Sequence, residues 1–404
     1  MARRLRFLPE FPNGFLPVFS ALLLTFCAVG ATLPILPRYV KGPIGGGDVE
    51  VGLVIGAYAF AAILARPIGG RFGDRRGRRP VMIAGVLMAA IAGGLYAVPM
   101  GIPGLVLTRM LLGVGEGIVF TSGAAWVADL ADASNRGRLV GLYGLSIWSG
   151  LSIGPLIGEG IFQATDSYDA VWIFCAIAPL AALPLLIKIP NDRNPNPKSA
   201  QHSGLGSYFP REAIRPGLSM MVGCLGFAAI ASFLVLMLDN RGIGHGALAF
   251  AAFAISVVVS RFLFGSIPDR IGGRNAAIGA ALVEMLGLLL IAVAGSLPVV
   301  LVASATIGVG FSLLFPSLAL LVLDEVDADR RGAAMGAFTS FFDVGVALGS
   351  PLVGIAASAG GYPAAFEVGA IGALLSAAIV ATVRSNKRHG EGDEISALKI
   401  SDAI

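Results

Sequence analysis

Twelve mostly apolar stretches follow one another along the chain, and each is long enough to cross a hydrocarbon layer of ~30 Å at ~20 helical residues per crossing. They run roughly from 15 to 37, 51 to 72, 80 to 99, 101 to 131, 136 to 160, 170 to 189, 215 to 240, 246 to 268, 275 to 295, 297 to 325, 331 to 358 and 362 to 384, and we number them spans 1 to 12. Polar and apolar residues do not alternate within them, so the pattern predicts helices in lipid and not the strands of a barrel. The 55 glycines are spread through these stretches and not gathered in linkers, as expected where membrane helices approach closely. The expected fold is an all-α membrane protein of twelve transmembrane helices.

Composition agrees: 56% of residues are hydrophobic, 13% are charged and the mean hydropathy is +0.81, more apolar surface than a water-soluble core of 404 residues could hide. A sequence pI near 9.1 could suggest nucleic acid, but the placement of the basic residues assigns them to topology instead. With the N-terminus inside, 23 of the 29 Lys and Arg fall on that side and three (Arg38, Lys41, Arg241) on the other, while Arg66, Arg109 and Arg261 lie within spans. Lys and Arg collect on the cytoplasmic side of membrane proteins, so both termini are expected in the cytoplasm and the protein in the plasma membrane, or the inner membrane of a Gram-negative cell. The basic start (Arg3, Arg4, Arg6) followed by an apolar run and Val29-Gly30-Ala31 imitates a cleavable signal, yet removing it would leave eleven spans and deprive the second half's first helix of a counterpart. Cys27, Cys175 and Cys224 fall within spans and are read as packing residues. His202, His245 and His389 fall in loops or the tail, so no metal site, cofactor or disulfide framework is expected.

Between Lys188 and Arg215 the chain turns polar (Asn191, Asp192, Asn194, Pro195, Asn196, Pro197), which reads as a linker. The expected organisation is a six-helix bundle over 1–190, a linker over 191–214, a second bundle over 215–384 and a tail over 385–404. The halves match at an offset of 195 residues: Arg66, Gly70, Asp74, Arg75, Gly77 and Arg79 fall on Arg261, Gly265, Asp269, Arg270, Gly272 and Arg274. Farther along, Asp129, Asp132, Arg136, Gly137, Gly141, Gly150 and Gly154 fall on Asp324, Asp327, Arg331, Gly332, Gly336, Gly345 and Gly349; after one inserted residue Pro155 meets Pro351. The chain is therefore a tandem duplication, an arrangement that places a pathway at the interface of the halves near the bilayer midplane.

Three motifs carry chemistry. Between spans 2 and 3 stands Arg66-Pro67-x-x-Gly70-x-x-x-Asp74-Arg75-x-Gly77-Arg78-Arg79. A loop that is basic only for topology explains its arginines, but not the glycine and aspartate spacing or its recurrence in the second half. Span 5 carries Gly141, Gly150, Gly154-Pro155 and Gly158, a smooth helix face with a proline that removes one backbone donor. Span 4 carries Arg109-x-x-x-Gly113-x-Gly115-Glu116, with an ionisable pair two turns apart on one face.

At these residues the sequence resembles the major facilitator superfamily over almost its whole length, and its span 5 motif is similar to that of the twelve-helix drug:proton antiporter branch, apart from Glu159 where a second glycine is usual. The resemblance implies two pseudo-symmetric six-helix bundles that work by alternating access. It implies that Asp74, Arg75 and Arg78, with Gly70 and Gly77 shaping the turn, latch the halves together, and that Arg109 takes part in proton coupling. It implies a cavity lined by spans 1, 4, 7 and 10, which nominates Phe26, Phe120, Trp126, Met220, Phe227, Phe311 and Phe315 for an amphipathic substrate.

An ionised group in hydrocarbon costs ~2.5–3.5 kcal/mol on insertion scales, so each deep acid calls for a partner or a task. Glu116, with Arg109 as its expected partner, and Asp343, mid-span on span 11, are the candidate proton carriers. Glu284 on span 9 reads as a glutamate buried between helices, and Glu159, Asp239 and Glu367 as interfacial. The expected function is proton-coupled efflux of a small amphipathic or drug-like molecule by a monomer, with a sugar, metabolite or siderophore transporter, or a lipid flippase, as alternatives on the same fold. Without an intramembrane histidine or a nucleophile and base pair, an enzyme is not expected.

Overall fold

The computed structural model describes residues 11–131, 135–189, 211–326 and 330–383; the side chains at 136, 137, 332 and 333 fall outside that description. Twelve helices long and apolar enough to cross a membrane follow in order, and there is no strand among the described residues. Span 1 is Phe15–Lys41, span 2 Asp48–Arg76, span 3 Arg78–Leu95, span 4 Gly101–Leu130, span 5 Arg136–Thr165 and span 6 Tyr168–Lys188. Span 7 is Arg211–Asn240, span 8 Gly246–Phe264, span 9 Gly273–Val293, span 10 Leu297–Glu325, span 11 Arg331–Gly360 and span 12 Tyr362–Ala381. Asp132, Asp327 and most of the expected linker and tail lie outside the described residues.

Two expected spans are interrupted. Span 6 breaks at Ala181 and Ala182 and resumes as Leu183–Lys188, because Pro184 lacks the N–H a continuing helix would use. Span 8 stops at Phe264, four residues short of the expected end, and Pro268 opens a separate short helix, Ile267–Ile271. The turn into span 3 has Gly77 at φ +92°, and the turn into span 9 has Gly272 at φ +84°. Both copies of the motif thus place glycine where an L side chain would be strained.

The duplication is visible in the packing. A Cβ on Gly113 would collide with the Tyr58 carbonyl, and one on Gly308, 195 residues on, would collide with that of Phe253, the repeat mate of Tyr58. Gly115 lies against Gly85 and Ala89, and Gly310 against their mates Ala280 and Glu284. Each half therefore brings its second and third helices backbone to backbone against its fourth. Large apolar side chains such as Phe262, Leu107, Leu348 and Val293 are exposed around the outside, as expected of a surface solvated by lipid.

Because the spans alternate in direction, the loops joining spans 2 to 3, 4 to 5, 8 to 9 and 10 to 11 share one end, which carries the arginine-rich motif and which we term the basic end. The halves meet mainly through span 2 against span 11 and span 5 against span 8. At the opposite, far end they are bolted together. Gly52 and Gly56 lie so close to Ser350 and Ala347 of span 11 that a Cβ at either would strike a backbone carbonyl, and Gly354 sits on Asp48. Arg38 bridges Glu159 of the first half (2.6 Å) and Asp239 of the second (2.6 Å).

Candidate functional site

A cavity of about 310 Å³ lies between the halves, lined from both and mostly apolar. On span 5 its wall follows Val140, Gly144, Ile147 and Leu151, one helix face. On span 11 it follows Thr339, Asp343 and Val346, and Gly336 continues that face one turn nearer the basic end. A Cβ on Gly144 or Gly336 would meet nothing within 4 Å, and Val140 is 38% exposed. The cavity therefore widens toward the basic end and is closed at the far end.

Arg66 of span 2 and Asp343 of span 11 form an ion pair at 2.9 Å that crosses from one half to the other inside the cavity. Asp343 is buried, and the Arg66 guanidinium lies 4.8 Å from the centre of the Phe120 ring, where the face of the π-system attracts it. Glu116, on the wall between them, is 1% exposed, and neither carboxylate oxygen has a hydrogen-bond partner among the described residues. The groups facing it are Arg66 and the Tyr58 hydroxyl, with the Asp343 carboxylate and the Tyr143 hydroxyl also within electrostatic reach.

This corrects the expectation that Arg109 partners Glu116. Seven residues separate them by ~10.5 Å along the axis, and both side chains lean toward the helix N-terminus, so the gap stays open. Arg109 turns instead to the carbonyls of Val54 (3.3 Å) and Ile55 (3.5 Å) and the Thr32 hydroxyl (3.3 Å), with the Tyr58 ring centre 4.9 Å away. It ties spans 1, 2 and 4 together while still bordering the cavity.

Phe26, Phe120, Met220, Phe227, Phe311 and Phe315 line the cavity. Trp126 does not; it is buried near the basic end of span 4, away from the lining. The tryptophan in the cavity is Trp148 of span 5, whose indole lies 5.6 Å from Phe311, 6.1 Å from Phe253 and 6.3 Å from Phe227, edge to face with each. One aromatic of the first half thus seats in a cluster from the second.

Arg261 of span 8 also borders the cavity; its Nε is buried and has no hydrogen-bond partner among the described residues. Glu284 lies away from the cavity, wedged against Gly226 of span 7 and Gly310 of span 10, with both oxygens unpartnered. The three cysteines are free and buried, and there is no metal-binding cluster among the described residues.

At the basic end Arg78 holds Asp74 (2.7 Å) and Asp129 (3.3 Å), both in its own half, while Gly70 rests against Thr121 and Arg75 is exposed. The latch expected of Asp74, Arg75 and Arg78 is not drawn across the halves by these contacts, as the opening at that end requires. On span 5, Gly150, Gly154 and Gly158 pack against span 1 at Leu23, Cys27 and Ala31, and the Pro155 ring touches Gly30, whereas Gly141 faces open space.

Arg66, Arg261, Tyr58 and Trp148 were not among the residues expected to form the site. A signal existed for three of them: Arg66 and Arg261 are repeat mates within spans, and Trp148 is the repeat mate of Asp343.

A profile of the Major Facilitator Superfamily matches residues 18–238 and 216–400. A Pseudomonas aeruginosa MFS-type transporter, PA14_38730, is 30% identical over 94% of this chain and 96% of its own. The Escherichia coli MFS-type transporter YhhS is 29% identical over 91% of each chain. Among solved structures, the nucleoside transporter NupG superposes with a TM-score of 0.75 at 15% identity (92% of this chain, 99% of that one), and the human organic anion transporter MFSD10 with 0.67 at 19% (91% and 99%).

Proposed function

Since the chain belongs to the Major Facilitator Superfamily, and is thus a multi-pass membrane transporter, we propose that it exports a small amphipathic molecule in exchange for protons, with Asp343 as the proton-carrying switch. The positive-inside bias puts the basic end in the cytoplasm, so the cavity is in its inward-facing form. The observation that carries the reading is the ion pair between Arg66 and Asp343, which spans the two moving halves.

An exchanger must prevent the empty carrier from crossing. With Asp343 ionised, crossing would tear apart a charge-assisted contact in a mostly apolar cavity, worth about 1.5–3 kcal/mol. A proton on Asp343 cancels its charge and loosens the bridge, so the protonated carrier can return. Glu116, facing the same arginine, offers Arg66 a second carboxylate during the exchange. Each proton moving inward releases ~2.3 kcal/mol per 100 mV, before any pH gradient is counted. Arg109, held by three partners within its own half, is a positioning residue that keeps Tyr58 beside Glu116.

The test is uphill flux in proteoliposomes with an imposed pH gradient, using a panel of amphipathic aromatic compounds. Wild type should concentrate at least one compound against its gradient, Asp343→Asn should lose uphill flux by at least tenfold while still equilibrating the compound, and Glu116→Gln should slow it. Undiminished pumping by both variants, or flux indifferent to the pH gradient, overturns the reading.

A further inference from the structure

The cavity's charges do not balance. Its described lining carries three arginines (Arg66, Arg109, Arg261) and two carboxylates (Glu116, Asp343). Arg66 is paired with Asp343, Arg109 is held by two carbonyls and a hydroxyl of its own half, and Glu116 faces Arg66 and Tyr58. Arg261 is left with no ion pair or hydrogen bond among the described residues. An arginine in hydrocarbon without a counter-ion is costly, and no structural contact made by Arg261 explains its presence.

The duplication indicates what is missing. Arg66 on span 2 finds its partner at position 343 of span 11; 195 residues earlier, position 148 of span 5 is tryptophan. Span 8 packs on span 5 as span 2 packs on span 11. Arg261 is the mate of Arg66, so the place where symmetry would put its carboxylate is taken by the Trp148 indole, seated against Phe227, Phe253 and Phe311. One copy of the repeat carries the acid, and the other carries an arginine and an aromatic cluster that line the same cavity.

We propose that the substrate is an amphipathic organic anion, whose acidic group pairs with Arg261 and whose apolar, preferably aromatic, body packs on Trp148, Phe227 and Phe311. The ligand supplies the carboxylate or sulfonate that the second copy lacks. Guanidinium suits this task because its planar fork matches two oxygens at once and it stays charged at every physiological pH. The inside-negative potential also drives an anion outward, in the direction of the export on which this inference rests.

The experiment is equilibrium binding to full-length protein in nanodiscs by calorimetry, at one pH and without a gradient, with empty nanodiscs as the blank. Three probes share one body: 2-naphthoate, neutral 2-naphthamide and cationic 2-naphthylmethylammonium. Wild type should bind the carboxylate about tenfold or more tighter than the amide, the size of one charge-assisted contact, and the cation weakest. Arg261→Gln should bring acid and amide within about twofold, and Arg261→Lys should keep part of the preference. Trp148→Asp, which restores the symmetric counter-ion, should remove the preference while leaving Arg261 in place. The wild-type comparison stands even if a variant misfolds. Equal or tighter binding of the amide or the cation, no saturable binding of any probe, or an acid preference that survives Arg261→Gln overturns the proposal. None of these results bears on coupling, which the flux assay reads separately; loss of coupling with the acid preference intact sinks only the exchange cycle.

Discussion

Arg109 and Glu284 are both charged groups within spans, and their surroundings assign them different fates. Arg109 gives its guanidinium hydrogens to acceptors on spans 1 and 2, so removing it leaves buried carbonyls with a lone pair unused and a void beside Tyr58. Arg109→Ala should cost about 2–4 kcal/mol and lower the melting temperature in detergent. Arg109→Lys should not rescue it, because a single ammonium cannot reach three acceptors in the same plane. Glu284 is buried with both oxygens unpartnered, and it lies off the cavity. Glu284→Gln should leave flux unchanged and raise the melting temperature; lost uphill flux would make it a coupling residue. That these charges lie within the membrane is legible from residue order alone. Their partners are not, since the carbonyls of Val54 and Ile55 have no signature and Asp343 is brought to Arg66 only by the packing of span 11 on span 2.

Glycines on one helix do different work according to what lies opposite. Gly154 faces the backbone of span 1 at Cys27 and Gly30, so any side chain there must push two helices of one bundle apart. Gly154→Leu should abolish the folded, monodisperse protein in size-exclusion chromatography. Gly144, three turns away on the same helix, borders the open cavity; Gly144→Leu should give normal yield and a lower maximal flux as the cavity narrows. The spacing of these glycines announces close packing, but not that span 1 is the neighbour or that Gly141 has none. Helix ends are less legible than helix cores: the apolar run of span 8 continues through Pro268, and only the fold breaks it at Gly265.

Over the whole molecule, the far end is held by Arg38 between Glu159 and Asp239 and by the fit of span 2 against span 11. Glu159, which departs from the glycine usual in the span 5 motif, thereby joins a three-residue clasp that includes the other half. Arg38→Gln, or the insertion of a methyl group by Gly52→Ala, should favour the far-end-open form, read as faster labelling of a cysteine placed at Ser350, which is buried against Gly52 in the far-end seam. The twelve spans, the repeat and the side on which the arginines collect are all evident in the order of residues. Which end is closed is not, because a carrier that alternates encodes both states in one sequence.

The most direct measurement is the separation of the halves in nanodiscs, by electron spin resonance between labels on introduced cysteines at exposed Val98 and Val293 at the far end and Ile187 and Ile271 at the basic end. The three native cysteines are buried and should stay unlabelled. Without substrate, the wild type should show a single far-end-closed population at pH 8 and a second, far-end-open one at pH 5, while Asp343→Asn should show both at either pH. A wild type that ignores pH, or an Asp343→Asn variant that responds to it as the wild type does, would contradict the ion pair between Arg66 and Asp343 as the switch.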